Sequence, residues 1–329
     1  MAVSRLSLAL GELALPDTGG IAVFEPTAET DLSALPADRV QIITRHITTQ
    51  DAFPGFACQR APTPPLATAI VVVPRAKALA QALIAEAVAA CPDGLILVDG
   101  QKTDGVDPLF KACRARVDIA GQMTKAHGRA FWFASHPAFD DWRAAPQSVD
   151  GFQTVPGVFS ADGIDPASAL LAQHLPAKPG ATVADLGAGW GYLAAQILRN
   201  PDIQNLHLVE SDAAALDCAR ANIDDPRAVF HWADATTWKA PEPLDCVIMN
   251  PPFHQGRKGA PDLGQRFITN AARLLKPSGQ LVLVANRHLP YEATLAACFA
   301  KTDEIGGDKR FKILAGQRPT RGKARASLG

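Results

Sequence analysis

Asn250-Pro251-Pro252-Phe253 sets an amide, a carbonyl on a residue without an N–H, a second proline and an aromatic ring in four consecutive positions. The run Leu244–Met249 before it is dominated by apolar and β-branched types, which predicts a short buried strand; two prolines then stop it, because neither can donate to a ladder. The chain beyond is a rigid loop at the carboxyl end of a strand, the place where open α/β sheets hold their ligands. The residue types suit a flat, amine-bearing group. Its two N–H groups can donate to the Asn250 side-chain oxygen and the Pro251 carbonyl, and Phe253 can stack on its face. An exocyclic amine is a poor nucleophile because its lone pair is delocalised into the ring. Two such hydrogen bonds favour a pyramidal amine and stabilise positive charge as it develops. His254, next in line, reads as a loop residue rather than a base.

A second constellation lies upstream. Asp185-Leu186-Gly187-Ala188-Gly189-Trp190-Gly191 continues a strand, Val183–Leu186, into a Gly-x-Gly-x-Gly turn. A dinucleotide fold expects Gly-x-Gly-x-x-Gly, so the spacing is one residue short, and an acid stands where a diphosphate would approach. A cationic or zwitterionic cofactor fits better, with Asp185 available to an ammonium group. Glu210 ends the next strand and suits both hydroxyls of a ribose; Asp234 follows the third and suits an adenine N–H. Each acid alone could equally be an ordinary strand-end or cap residue, as Asp212 is expected to be. In series on consecutive strands they describe an adenosine site.

The elements that must position these groups are legible in outline. Strands are expected at Leu206–Glu210, Ala228–Trp232, Gln280–Ala285 and Phe311–Leu314, and helices at Tyr192–Arg199, Ala213–Ile223, Leu263–Leu275 and Tyr291–Ala300. The first half shows strands at Ile21–Phe24, Val40–Thr44, Ala67–Val73 and Leu95–Val98 and a helix over Ala76–Ala90. Its first strand runs into Glu25-Pro26 with no glycine turn, and its later one into Val73-Pro74-Arg75 with no amide before the proline. It has the outline of a nucleotide-type α/β domain without binding loops. Residues 146–158, rich in Gly, Pro and polar types, are expected to link domains at 1–145 and 159–329.

At 329 residues, 47% hydrophobic and 20% charged, the chain is ordinary for a globular protein of two domains. A net charge of −1 excludes a uniformly basic nucleic-acid coat, so any such contact must be local. Bases do gather after Asp308, at Lys309, Arg310, Lys312, Arg318, Arg321, Lys323 and Arg325; with Arg257 and Lys258 they could track phosphates. Six scattered cysteines with no C-x-x-C pair argue against zinc and against a disulfide framework. No metal is expected. The lack of a secretory leader or of an apolar run near about 20 residues points to a cytoplasmic chain; oligomeric state is not legible.

The series Asp185-x-Gly-x-Gly-x-Gly, Glu210, Asp234 and Asn250-Pro251-Pro252-Phe253 resembles class I S-adenosylmethionine-dependent methyltransferases that act on an amino nitrogen. Pro156-Gly157-Val158-Phe159-Ser160-Ala161-Asp162-Gly163-Ile164-Asp165, with the helical Ala167–Leu175 after it, is similar more narrowly to the lead-in of bacterial ribosomal-RNA guanine-N2 methyltransferases. The resemblance implies an α/β fold of two Rossmann-like methyltransferase domains in tandem. The N-terminal one would be degenerate, serving RNA recognition or folding support, and the C-terminal one a catalytic seven-stranded sheet. It further implies S-adenosylmethionine as cofactor, ribosomal RNA or a ribosomal subunit as partner, and Phe159, Asp162 and Asp165 as residues framing the cofactor. Two positions depart from the family: Pro166-Ala167 follows Asp165 where a glycine is usual, and Ala188 stands where Cys is frequent. Methylation of a protein side-chain amide, of the release-factor type, remains an alternative, as does an RNA-binding assembly factor without turnover. A dehydrogenase would leave the Asn-Pro-Pro-Phe loop without a use.

Overall fold

The computed structural model describes residues 4–252, 254–255, 258–259 and 261–320, with His254, Gln255, Lys258, Gly259 and Pro261 described by backbone alone. Phe253, Arg257, Arg321, Lys323 and Arg325 therefore lie outside the described residues, as do the side chains of His254 and Lys258. The chain divides into two units, one comprising 1–146 with 155–157 and the other 147–154 with 158–329.

In the first unit the strands are β1 (Gly20–Phe24), β2 (Val40–Ile43), β3 (Ala57–Gln59), β4 (Leu66–Val72), β5 (Leu95–Gln101), β6 (Gly121–Lys125) and β7 (Gly128–Ala134). They form one sheet in the order β3-β2-β1-β4-β5-β7-β6. The first five are parallel and β7 is antiparallel to both neighbours. Its helices are α1 (Arg5–Glu12), the short α2 (Thr49–Ala52), α3 (Lys77–Ala90) and α4 (Val106–Arg114). Parallel strands are apolar on both faces because helices cover both, and the alternation is visible here. Ala22, Phe24, Val71, Val98 and Phe131 pack with α3 and α4, while Ile21, Val23, Ile70, Leu97 and Trp132 pack with Leu6 and Leu10 of α1.

The second unit opens with a hairpin, β8 (Gln147–Val149) and β9 (Phe152–Thr154), within the stretch expected to be a linker. Then come α5 (Pro166–Ala172), β10 (Thr182–Leu186), α6 (Tyr192–Ile197), β11 (Asn205–Glu210), α7 (Ala213–Asn222), β12 (Ala228–Trp232) and β13 (Leu244–Met249). A two-residue pair comes next, β14 (His254–Gln255) with β15 (Lys258–Gly259), and after it α8 (Pro261–Leu274), β16 (Leu275–Asn286), α9 (Tyr291–Cys298), β17 (Phe299–Gly307) and β18 (Phe311–Pro319). The main sheet runs β12-β11-β10-β13-β16-β18-β17, again with the five strands from β12 to β16 parallel and β18 antiparallel. This is the strand order of the first unit repeated, so the α/β fold is two sheets of seven strands, each of the Rossmann-like methyltransferase type.

Two details depart from expectation. The helix expected over Tyr291–Ala300 ends at Cys298, because Phe299 turns inward, 3% exposed, and begins β17. The strand expected at Gln280–Ala285 starts earlier: β16 begins at Leu275, which pairs with Leu244 ahead of a register shift that absorbs Pro277.

The parallel register fixes the site. Leu186 pairs with Met249 and with Val209, so the segments after β10, β11 and β13 leave the sheet side by side at its carboxyl edge. The fully buried Val183, Leu206, Ile248 and Val284 on one face and Leu186, Met249 and Leu283 on the other hold these strand ends. Burial of one such side chain contributes about 1.5–3 kcal/mol.

Candidate active site

At that edge is a cleft whose lining includes Phe159, Asp165, Ser168, Gly187, Gly189 and Asn250. Gly187 and Gly189 take positive φ, 77° and 57°, which a residue with a Cβ adopts only under strain. Gly191 also takes positive φ, 93°, and lies where α6 meets α7. A Cβ there would lie 2.9 Å from the Ile223 side chain, so its bareness lets α6 close on α7, and it does not line the cleft.

Asn250 stands one residue beyond β13. Its Nδ2 donates to Asp165 Oδ2 at 2.8 Å and to Ser168 Oγ at 2.8 Å. Its Oδ1 is buried and has no hydrogen-bond partner among the described residues. An amide has two donors and one acceptor oxygen, so its donor side is full and its acceptor open. Asp165 is the N-cap of α5 and accepts the Ser168 backbone N–H at 2.8 Å, with Pro166 at the first helical position. The proline in place of a glycine is thus explained, since its fixed φ suits a helix start. Ser168 was not among the residues expected from the sequence; its signal was a single polar residue three positions beyond an Asp cap in an Ala/Leu helix.

Asp185 lies beneath the cleft, fully buried, and neither carboxylate oxygen makes a well-formed hydrogen bond. Burial, then the neighbouring Glu210 carboxylate, push its carboxyl up to about 8, against a smaller opposing pull from the Ala194 backbone N–H. A buried carboxylate without partners is costly, so burial favours its neutral form, and a cation beside it would offset that cost. Glu210 accepts the Gly189 N–H at 2.9 Å through Oε2 and the Asp212 N–H at 2.9 Å through Oε1, tying the glycine turn to the end of β11. Burial raises its pKa too. The Ser211 hydroxyl also donates to Oε1, at 3.2 Å, so of about four lone-pair positions on the carboxylate the one left open is on Oε2.

The remaining expected site residues take varied places. Phe159 is 60% exposed at the cleft, and its carbonyl receives the Trp190 indole N–H at 2.9 Å. Asp162 is exposed and outside the cleft lining. Asp234 accepts the Thr236 N–H and hydroxyl, each at 2.8 Å, and so shapes the turn after β12. Asp212 caps α7, accepting the Ala214 N–H at 2.9 Å. Pro251 is buried and Pro252 exposed. Among the described residues no group of three His, Cys, Asp or Glu side chains could hold a metal, and no helix is long and apolar enough to cross a membrane.

Comparison with known proteins decides between the chemistries this cleft allows. The profile of the methyltransferase small domain family matches residues 151–315. The chain belongs to the methyltransferase small domain family. Its relatives include two proteins named ribosomal RNA small subunit methyltransferase C. The one from Hahella chejuensis is 33% identical over 65% of this chain and 66% of its own; the one from Pseudomonas aeruginosa LESB58 is 31% identical over 81% and 84%. Among solved structures, a T. thermophilus 16S rRNA N2 G1207 methyltransferase in complex with AdoMet and guanosine superposes with a TM-score of 0.78. It is 23% identical and covers 96% of this chain and 92% of its own, so the likeness extends over both units and concerns the fold. As a methyltransferase small domain protein, the chain is a methyltransferase, and the cleft after β10 and β13 is the place in it that these geometric features single out.

Proposed function

We propose that this chain transfers a methyl group from S-adenosylmethionine to the exocyclic N2 amine of a guanine in small-subunit ribosomal RNA. The observation that carries the reading is the Asn250 amide: its N–H groups are committed to Asp165 and Ser168, and its buried oxygen is left open at the rim of a glycine-lined cleft. The names of the relatives and the guanosine and AdoMet bound by the T. thermophilus protein point the same way.

When bound, S-adenosylmethionine supplies a methyl group on a positively charged sulfur, reactive toward an amine lone pair. The chain does the rest by position and charge. Asp185, with no well-formed hydrogen bond of its own, is suited to an ammonium; Glu210 to a ribose hydroxyl; Asp234 to an adenine N–H; Gly187 and Gly189 to close backbone approach; Phe159 to a frame beside them. Asn250 Oδ1 and the Pro251 carbonyl accept the two amine N–H groups and favour a pyramidal nitrogen, and Phe253 stacks on the base. No strong base is required, because the amine loses its proton after the methyl has moved. A guanine in folded RNA must be splayed out to reach Asn250, so loops or partly assembled particles in the cytoplasm are the natural substrates. The first unit, which lacks the glycine turn and the amide, serves RNA recognition or folding of the catalytic half.

The test is transfer of labelled methyl from S-adenosylmethionine to unmethylated small subunits, large subunits, free ribosomal RNA and release factors, followed by nucleoside analysis. Label in N2-methylguanosine of the small-subunit RNA, falling roughly a hundredfold in rate (about 3 kcal/mol) with Asn250→Ala, is expected. Label in protein or in another nucleoside would overturn the reading.

A further inference from the structure

We propose that Asp165 and Ser168 are positioning residues that decide which atom of the Asn250 amide faces the substrate. The proposal rests on the amine-methylation reading of the site.

An amide side chain is nearly symmetric in shape but opposite in polarity at its two ends, so a half-turn exchanges oxygen for NH₂ at little steric cost. With the NH₂ toward the substrate, donors would meet the donors of the amine and the grip would be lost. Asp165 prevents this. Oδ2 of Asp165 already accepts the Ser168 backbone N–H and holds Asn250 Nδ2 at 2.8 Å; the flipped amide would set oxygen against oxygen. Ser168 Oγ takes the second contact at 2.8 Å, but a hydroxyl can donate as readily as accept and would tolerate either orientation. Asp165 therefore sets the polarity, and Ser168 completes the donor side. Both are held by the same turn: Asp165 caps α5 through the Ser168 backbone N–H, and Ser168 is only 8% exposed. Residue 165 is thereby assigned to Asn250, across 85 positions of sequence, rather than to direct contact with the cofactor.

The two roles separate experimentally in the full chain with Asp165→Asn, Ser168→Ala and Ser168→Thr. The readouts are S-adenosylmethionine affinity by calorimetry, the single-turnover rate and the KM for unmethylated small subunits. Asn caps a helix as well as Asp, so Asp165→Asn preserves folding while removing the acceptor-only partner. The expected result is a single-turnover rate lowered about thirtyfold to a hundredfold in Asp165→Asn and roughly tenfold in Ser168→Ala. Cofactor affinity should stay within about threefold in both, and Ser168→Thr should recover most of the rate, since partial loss is what a displaced hydrogen-bond partner produces. Variants that turn over like the active wild type, or that lose cofactor affinity but keep the rate at saturating cofactor, overturn the positioning role alone. A wild type that binds cofactor yet methylates no RNA overturns the amine-methylation reading and the positioning role with it.

Discussion

In the first unit the residue after the fourth strand of the sheet, β4, is Val73, followed by Pro74; after β13, at the same place in the second unit's strand order, stands Asn250, followed by Pro251. Val73 is 5% exposed and donates its backbone N–H to the Asp99 carbonyl at 2.9 Å, which closes the edge with a methyl-bearing side chain. After the central strand the first unit has Glu25, at φ 50°, whose carboxylate accepts the Arg45 N–H at 3.0 Å; the second has Gly187 leading into the glycine turn. The acids differ most. Asp99 is largely buried and gripped by the Arg5 guanidinium at 2.6 and 3.1 Å, whereas Asp185 is fully buried with no well-formed bond. Among the described residues each sheet leaves a buried polar atom without a partner, but in the first it is the single hydroxyl of Thr68, whereas the second leaves both oxygens of Asp185 and the Asn250 amide oxygen open at its carboxyl edge. Identical topology therefore does not distribute open acceptors evenly, and the unpartnered carboxylate and amide oxygens fall in the unit that carries the glycine turn.

The comparison can be broken hardest at Arg5. Arg5→Met leaves the Asp99 carboxylate without its cation in a buried place, and the chain should lose about 3–5 kcal/mol of stability by denaturant unfolding, with S-adenosylmethionine affinity unchanged at native conditions. A loss of cofactor affinity instead would place function in the first unit.

Asp185→Asn is the mirror experiment. The folded-state pKa of Asp185, about 8, lies above that of an unfolded aspartate, so its contribution to stability is full below the unfolded value and is lost as pH rises toward 8. Removing the charge should stabilise the chain on the order of 2 kcal/mol at neutral pH, more at higher pH, while weakening S-adenosylmethionine binding about tenfold or more. Melting temperature and calorimetry across pH read both effects. For the wild type, cofactor affinity should rise between about pH 6 and pH 8 as the carboxyl ionises.

A smaller effect separates the units by acid. His207 Nδ1 and His231 Nε2 lie 3.0 Å apart against Trp238, and burial lowers the pKa of both. Their neutral forms are favoured in the fold, so below about pH 6.5 the unfolded chain binds more protons and stability falls with falling pH. Hydrogen exchange should show β11 and β12 opening first as the pH is lowered, by about 1 kcal/mol, and His207→Gln should flatten that response. Earlier opening of β1 and β2 would contradict it.

Much of this was legible in the sequence because parallel strands buried on both faces are dominated by apolar residues, and Val183–Leu186, Leu206–Glu210 and Leu244–Met249 are such runs despite Asp185, His207, Glu210 and Asp245. Strands that face water were not. Phe299–Gly307 is mostly exposed and reads Phe-Ala-Lys-Thr-Asp-Glu-Ile-Gly-Gly, with no alternation to betray it. Gly121–Lys125 at the other sheet's edge is polar for the same reason. At the site, the glycine turn and the Asn-Pro-Pro loop announce themselves through local backbone requirements. The partnership of Asp165 and Ser168 with Asn250, and of Arg5 with Asp99, joins residues distant in the chain, and spacing carries no trace of it.

The most direct test is a crystal structure of the full chain with S-adenosylmethionine and guanosine both bound. The account predicts both ligands in the second unit, with Asn250 Oδ1 accepting an N–H from the guanine N2 while Nδ2 keeps Asp165 and Ser168. Guanosine bound with Asn250 Oδ1 still unpartnered, or with the amide turned so that its NH₂ faces the base, would contradict it.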